Sequence, residues 1–206
     1  MDPFEIKLVR QYAINEIAGG LILGNFALKS ENSFIRTKLT YHSMDELRHG
    51  WLWTDFLNKK KVGVAKARGG NDYFDFMAQQ EDEINFLAAV HIYELRVPFH
   101  LGTHMELPQI DPELKEVMGK IRDDEKFHLS WVRKYLDEQM QTEKGRQHVI
   151  EAVKKCENAE KETYTKYIAH IKQYGGYLAD LATLVQKKMP EFPVPSDDFV
   201  GHQQNV

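Results

Sequence analysis

Apolar residues recur at three- and four-residue spacing along nearly the whole 206-residue chain, and strand-like alternation is nowhere sustained, so the pattern predicts an all-α protein. Asp2-Pro3 with Glu5 reads as an N-cap, a proline at the first helical position and an acid in the first turn, which starts a helix at once and carries it to about Lys29. Ser30-Glu31-Asn32-Ser33 supplies a turn with new cap candidates, and a second helix follows from Phe34 through Phe56. Lys59 to Asn71 holds Gly63, Gly69 and Gly70 without a periodic pattern and reads as an extended crossover. Its 13 residues reach ~43 Å when stretched at about 3.3 Å each, enough to return along a bundle and set the third helix parallel to the second. That third helix is expected to begin after an Asn71 cap and run to about Glu106, with Pro98 loosening it locally. Asp111-Pro112-Glu113 repeats the start signal of the amino terminus, and a fourth helix extends to about Gln141. A more polar helix over 144–174, a break at Gly175-Gly176 and a short helix over 177–188 complete the reading. Residues 1–190 are thus expected to form one domain, with its core in 3–141 and additional helices in 144–188, followed by an irregular tail over 191–206.

Composition narrows the class. The 42% hydrophobic content can build a core, and a net charge of −4 with Lys and Arg interleaved among Asp and Glu does not suit nucleic acid. Cys156 is the single cysteine, so no internal disulfide and no Cys-x-x-Cys metal site can form. The first residues lack the basic and apolar segments of a signal peptide, and no apolar run approaches a membrane span. A cytoplasmic protein without membrane contact is the expectation.

Two segments carry the chemistry. Asp45-Glu46-Leu47-Arg48-His49 and Asp124-Glu125-Lys126-Phe127-His128 are both Asp-Glu-x-x-His, and a Glu and a His three apart on a helix reach one metal from one face. A single Glu-x-x-His is a chance event, so position is the test. In an antiparallel helix hairpin, residues equidistant from the turn lie level with each other. Glu16 and Glu46 have their midpoint at residue 31, within the first turn, and Glu94 and Glu125 have theirs between Gln109 and Ile110, within the proline-flanked second turn. Each hairpin therefore sets one Glu level with a Glu-x-x-His, the layout of di-iron carboxylate bundles. Carboxylates and imidazoles suit iron or manganese, and six protein ligands on two ions leave positions open for oxygen or water. Asp45 and Asp124 are placed to accept from the histidine rings and orient them.

With these residues in view the sequence resembles the ferritin-like superfamily, which includes bacterioferritins, rubrerythrins and di-iron oxygenases, over about residues 3–141. The resemblance implies a four-helix bundle with a long crossover between helices two and three. It also implies two iron ions, or a manganese–iron pair, held by Glu16, Glu46, His49, Glu94, Glu125 and His128. The missing Cys-x-x-Cys pairs exclude a full-length rubrerythrin, and Leu47 stands where bacterioferritins carry a haem-ligating Met, so no haem is expected. The runs Asn15-Glu16-Ile17-Ala18-Gly19-Gly20 and 44–50 look similar to the catalytic-subunit helices of aromatic-CoA epoxidases. The reading that follows is an oxidase or oxygenase using O2, an electron donor and a small organic substrate, in a homo-oligomer such as a dimer. Its rival is a ferroxidase or peroxidase for iron handling or peroxide defence.

Several neighbours of the ligands carry two readings each. Gly19 and Gly20 either leave space beside the metals or allow close helix packing. Pro98 removes the hydrogen bond to the Glu94 carbonyl, either opening the backbone at a ligand or making an ordinary kink. His42, four before Glu46, is a possible extra ligand, although a hydrogen-bonding core histidine is the commoner use of such a residue, and the same holds for His91. Tyr12, Trp53 and Trp131 read as core.

Overall fold

The computed structural model describes residues 1–64, 72–189 and 199. Among them are seven helices: α1 Pro3–Lys29, α2 Ser33–Lys59, α3 Asp72–Ala78, α4 Glu83–His104, α5 Pro112–Gln139, α6 Glu143–Lys172 and α7 Gly176–Lys188, with no strand among the described residues. Three of the caps are those the sequence signals. Asp2 accepts from the Phe4 N–H, Asn32 from Phe34 and Ile35, and Asp111 from Glu113 and Leu114, with proline behind the first and last of these caps. Gly175 and Gly176 take φ of 70° and 50°, the left-handed region that ends α6 and turns the chain into α7.

Helices α1, α2, α4 and α5 form the bundle. Gly20 and Gly24 of α1 meet Ser43 of α2, while Ile17 meets Gly50, so the pair runs antiparallel. Against α4, Tyr12 reaches His100 and His104, whereas the Phe26 ring stacks on Phe86 at 3.8 Å. This pair is antiparallel too, so α2 and α4 run parallel, as a long crossover between them demands. The part of that crossover at 65–71, including the Asn71 cap, lies outside the described residues, as does the expected tail beyond 190 apart from Phe199.

One element differs from expectation: the third helix is two helices. Asp82 accepts from the Asn85 N–H at 3.0 Å and caps α4 afresh, so the chain breaks over Gln79–Asp82. The separated α3 turns Tyr73, Phe74 and Met77 into the core, and the Tyr73 hydroxyl donates to the Ala89 carbonyl at 2.9 Å. Pro98 sits inside α4 without ending it.

The interior is divided. One apolar cluster joins Leu23, Phe26, Leu39, Phe86 and Leu136 at one end, and another joins Leu8, Trp53, Leu57, Met118, Ile121 and Leu181 at the other. Between them lies a layer of buried carboxylates and imidazoles. No helix of the described residues is long and apolar enough to cross a membrane.

Candidate metal centre

Each bundle helix sends side chains into the middle layer. Glu16 comes from α1, Glu46 and His49 from α2, Glu94 from α4, and Glu125 and His128 from α5, and all six are buried. Their ligand atoms fall into two groups, within each of which all atoms lie within 4.8 Å of one another. Glu16, Glu46, His49 and Glu125 make one, and His42, Glu46, Glu94 and His128 make the other. Glu46 belongs to both. Glu125 also touches both halves, its Oε1 standing 3.3 Å from His49 Nδ1 and its Oε2 2.7 Å from His128 Nδ1. Two carboxylates thus lie between the halves, where they can bridge a pair of cations.

The structure brings His42 into the cluster, which the sequence left open. Its Nε2 lies 3.0 Å from Glu94 Oε1 and 3.6 Å from Glu46 Oε1, and its ring lies against that of His128 with centroids 3.7 Å apart. His91 stays outside. Its ring faces Phe199, and burial with the Arg133 charge pushes its pKa down to about 4.

Both ligand histidines turn Nδ1 inward and Nε2 outward. His49 Nε2 lies 3.3 Å from Asp124 Oδ2, and His128 Nε2 lies 3.5 Å from Asp45 Oδ2. Each aspartate therefore serves the histidine of the other helix, not that of its own Asp-Glu-x-x-His. Arg48 Nη2 ties the two together, at 2.9 Å from Asp124 and 3.4 Å from Asp45. Nothing in the local motif pointed to Arg48; its role depends on α2 and α5 lying side by side.

Electrostatics mark the layer as built for positive charge. Burial, and then the neighbouring Glu46, hold the Glu16 pKa well above the usual carboxylate range; burial with Glu125 and Glu94 does the same to Glu46. Burial also opposes ionisation of Glu94, but the His42 and His128 rings outweigh it and keep that carboxyl ionised. His128 is pushed up to about 12, because Glu125 and Glu94 overcome its burial. Glu16 Oε2, Glu46 Oε1, Glu94 Oε2, Glu125 Oε1 and His49 Nδ1 are buried without a hydrogen-bond partner. Unpartnered buried acceptors are costly, and cations bound among them would satisfy all five. The donor set, oxygen with imidazole nitrogen and no thiolate, can hold divalent metal ions, iron and manganese among them.

Comparison with protein-family models, curated proteins and solved structures returned no match.

The glycine reading resolves toward packing. A Cβ on Gly20 would stand 2.9 Å from Leu47 Cγ and 3.0 Å from the Ser43 carbonyl, so Gly20 faces α2 and lets the hairpin close. Beside Gly19, the Phe74 ring of α3 and the Glu46 carboxylate occupy the space, leaving a void of about 10 Å³. The groove that Gly20 and Gly24 line reaches no candidate ligand, and the space beside Glu16 lies on another face. A cavity of about 480 Å³ sits between α1, α4 and α6, with Glu16 at its wall and Tyr93, Arg96, His100, Tyr164 and Tyr167 around it. Arg96 pairs with Glu160 and lies over the rings of Tyr93 and Tyr164, at 4.7 and 5.1 Å. Tyr164 and Tyr167 come from α6, a helix whose role, capping the site or building an interface, the sequence left open.

Proposed function

We propose that this chain is a ferritin-like, non-haem di-iron oxidase or oxygenase that uses O2 and an external electron donor to oxidise a small organic molecule. The observation that carries the reading is the cavity beside Glu16. Its volume lies within the range of small-molecule sites, and the rings of Tyr12, Tyr93, Tyr164 and Tyr167 give its mixed polar and apolar lining flat faces. Glu16 is the sole carboxylate among the described residues that line it, and the Arg96 and Lys166 cations of the lining pair with Glu160 and Glu162 behind it. A channel for ferrous ions needs acidic walls, so this lining favours an organic substrate over iron as the species admitted.

Two iron ions held by Glu16, Glu46, His49, Glu94, Glu125 and His128, with His42 beside the second, would supply oxygen activation at the cavity wall. The protein's own residues set the rest. Asp124 holds His49 with Nδ1 inward, Asp45 stands 3.5 Å from His128 Nε2, and Arg48 ties both aspartates. Trp53 donates to Glu16 Oε1 at 3.4 Å and orients the carboxylate that faces the cavity. Arg96, pinned by Glu160, presents a rigid cation beside the tyrosine rings, which orient a planar substrate by stacking.

The test is substrate oxidation coupled to O2 uptake. Iron-loaded protein given a reductant, ¹⁸O2 and a panel of small phenols and aromatic acids is expected to consume O2 and yield an oxidised product by mass spectrometry, labelled for an oxygenase and unlabelled for an oxidase. Thr163→Trp, which fills the cavity from α6, is expected to load iron as the native chain does and to yield no such product. Mineral deposition of hundreds of irons in a hollow shell, without oxidised product, would reassign the protein to iron storage.

A further inference from the structure

A second buried polar system leads away from the cavity, and no part of it belongs to the candidate metal ligands. Tyr164 of α6 meets His100 Nδ1 at 2.6 Å, His100 Nε2 meets the Tyr12 hydroxyl at 2.8 Å, and the same hydroxyl meets His104 Nδ1 at 3.0 Å. His104 Nε2 meets the Tyr177 hydroxyl, which donates to Glu5 Oε1 at 2.8 Å. All six side chains are buried. They come from four helices, α1, α4, α6 and α7, so no single sequence segment contains them.

The last link fixes the direction of every other. A phenol has one proton to give, and Tyr177 gives it to Glu5, so Tyr177 accepts from His104 Nε2–H. Burial pushes the His104 pKa down to about 3, and burial with His104 and Arg96 pushes that of His100 well down, so both rings are neutral. A neutral ring protonated on Nε2 has a bare Nδ1. His104 Nδ1 therefore accepts from Tyr12; Tyr12, its proton spent, accepts from His100 Nε2–H; and His100 Nδ1 accepts from Tyr164. Five hydrogen bonds point one way, from the cavity to Glu5.

We infer that Tyr164, His100, Tyr12, His104, Tyr177 and Glu5 form a single-file proton wire that carries a proton out of the cavity. An acid in the cavity gives its proton to the Tyr164 oxygen, and each existing O–H or N–H proton moves one link along. The Glu5 carboxylate takes up the last one. No electrons move. The cavity acid is left as its conjugate base, Glu5 as a carboxylic acid, and both histidines as the Nδ1–H tautomer. This polarity suits release of protons from a substrate and not their delivery. That the cavity acid is a substrate rests on the function proposed above; the wire itself does not.

The test reads tautomers at a distance. In the full chain labelled with ¹⁵N, both metal-free and loaded with diamagnetic Zn²⁺, His100 and His104 are expected to be neutral and solely Nε2–H at neutral pH. Glu5→Gln places an amide at the end of the chain that can donate as well as accept, which allows all five bonds to reverse. His100 and His104 are then expected to show the Nδ1–H tautomer together, although His100 lies four hydrogen bonds from Glu5. Adding Tyr12→Phe to Glu5→Gln is expected to leave His104 mixed and to abolish the effect of residue 5 on His100. If Glu5→Gln does not fold, Tyr177→Phe frees the same end and is expected to loosen the tautomers of both rings. A charged ring, opposite tautomers in the native chain, or a His100 indifferent to both substitutions would overturn the wire. Failure to bind Zn²⁺ with the tautomer coupling intact would count against the metal reading alone.

Discussion

Glu46→Gln separates the cost of the carboxylate layer from its use. Glu46 Oε1 lies 3.6 Å from His42, 3.7 Å from His49 and 3.3 Å from His128, so it is shared by both ligand groups. Its folded pKa stands above the unfolded one, through burial and the charges of Glu125 and Glu94. Such a carboxyl favours the fold fully only below its unfolded pKa, and that contribution is lost as pH rises through the folded value. Without metal at pH 8, the neutral amide is therefore expected to raise the melting temperature, and to raise it less at pH 5. With metal the sign reverses. Each ion bound at 100 times its Kd stabilises the native state by about 2.7 kcal/mol, so two ions contribute about 5 kcal/mol. In a chain of 206 residues, at roughly 2–4 °C per kcal/mol, that is a rise of about 10–20 °C. Glu46→Gln weakens both groups at once and is expected to keep less than half of the rise. The assay is scanning calorimetry with and without anaerobic Fe²⁺ or Mn²⁺. A variant that melts lower without metal and keeps the full metal response would refute the shared position of Glu46.

Two further outcomes follow from individual residues. His104 is neutral in the fold with its pKa at about 3, so between that value and the unfolded 6.5 the unfolded chain binds the extra proton and stability falls as pH falls. His104→Gln, which cannot charge, is expected to remove about 2 kcal/mol of the loss between pH 7 and 5 in urea titrations, at about 1.4 kcal/mol per unit; parallel curves would mean the ring is not held neutral. His42→Ala strips a donor from one group only, so the second metal is expected to weaken at least tenfold while the first holds; equal weakening of both would return His42 to a packing role.

The parts of this account that were legible in the sequence are those fixed by distance along the chain. Asp2-Pro3 and Asp111-Pro112 satisfy their own helix starts, and the turns at 30–32 and 105–111 set the register that brings Glu16 to Glu46 and Glu94 to the His128 of the second Glu-x-x-His. The unread parts depend on elements meeting that are remote in sequence. Asp82 is an ordinary acid until its side chain caps α4, and apolar periodicity on both sides hid the break. Gly20 suggested space because it shares a face with Glu16, yet the facing Leu47 and Ser43 decide the matter. His100 and His104, four apart on α4, were a visible signal passed over, because their partners Tyr12, Tyr164 and Tyr177 lie 64 to 92 residues away. The cavity wall was illegible for the same reason, since α6 reaches Glu16 only by folding back across α4.

The central claim is that six side chains from four helices hold two metal ions, and anaerobic titration of the full chain with Fe²⁺ tests it most directly. Counted by elemental analysis after gel filtration, iron is expected to saturate at two per chain, and to bind more tightly as pH rises from 5 to 8, because metal must displace the protons that burial and neighbouring charge hold on Glu16, Glu46 and His128. Saturation at one ion per chain, or binding indifferent to pH across that range, would contradict the account.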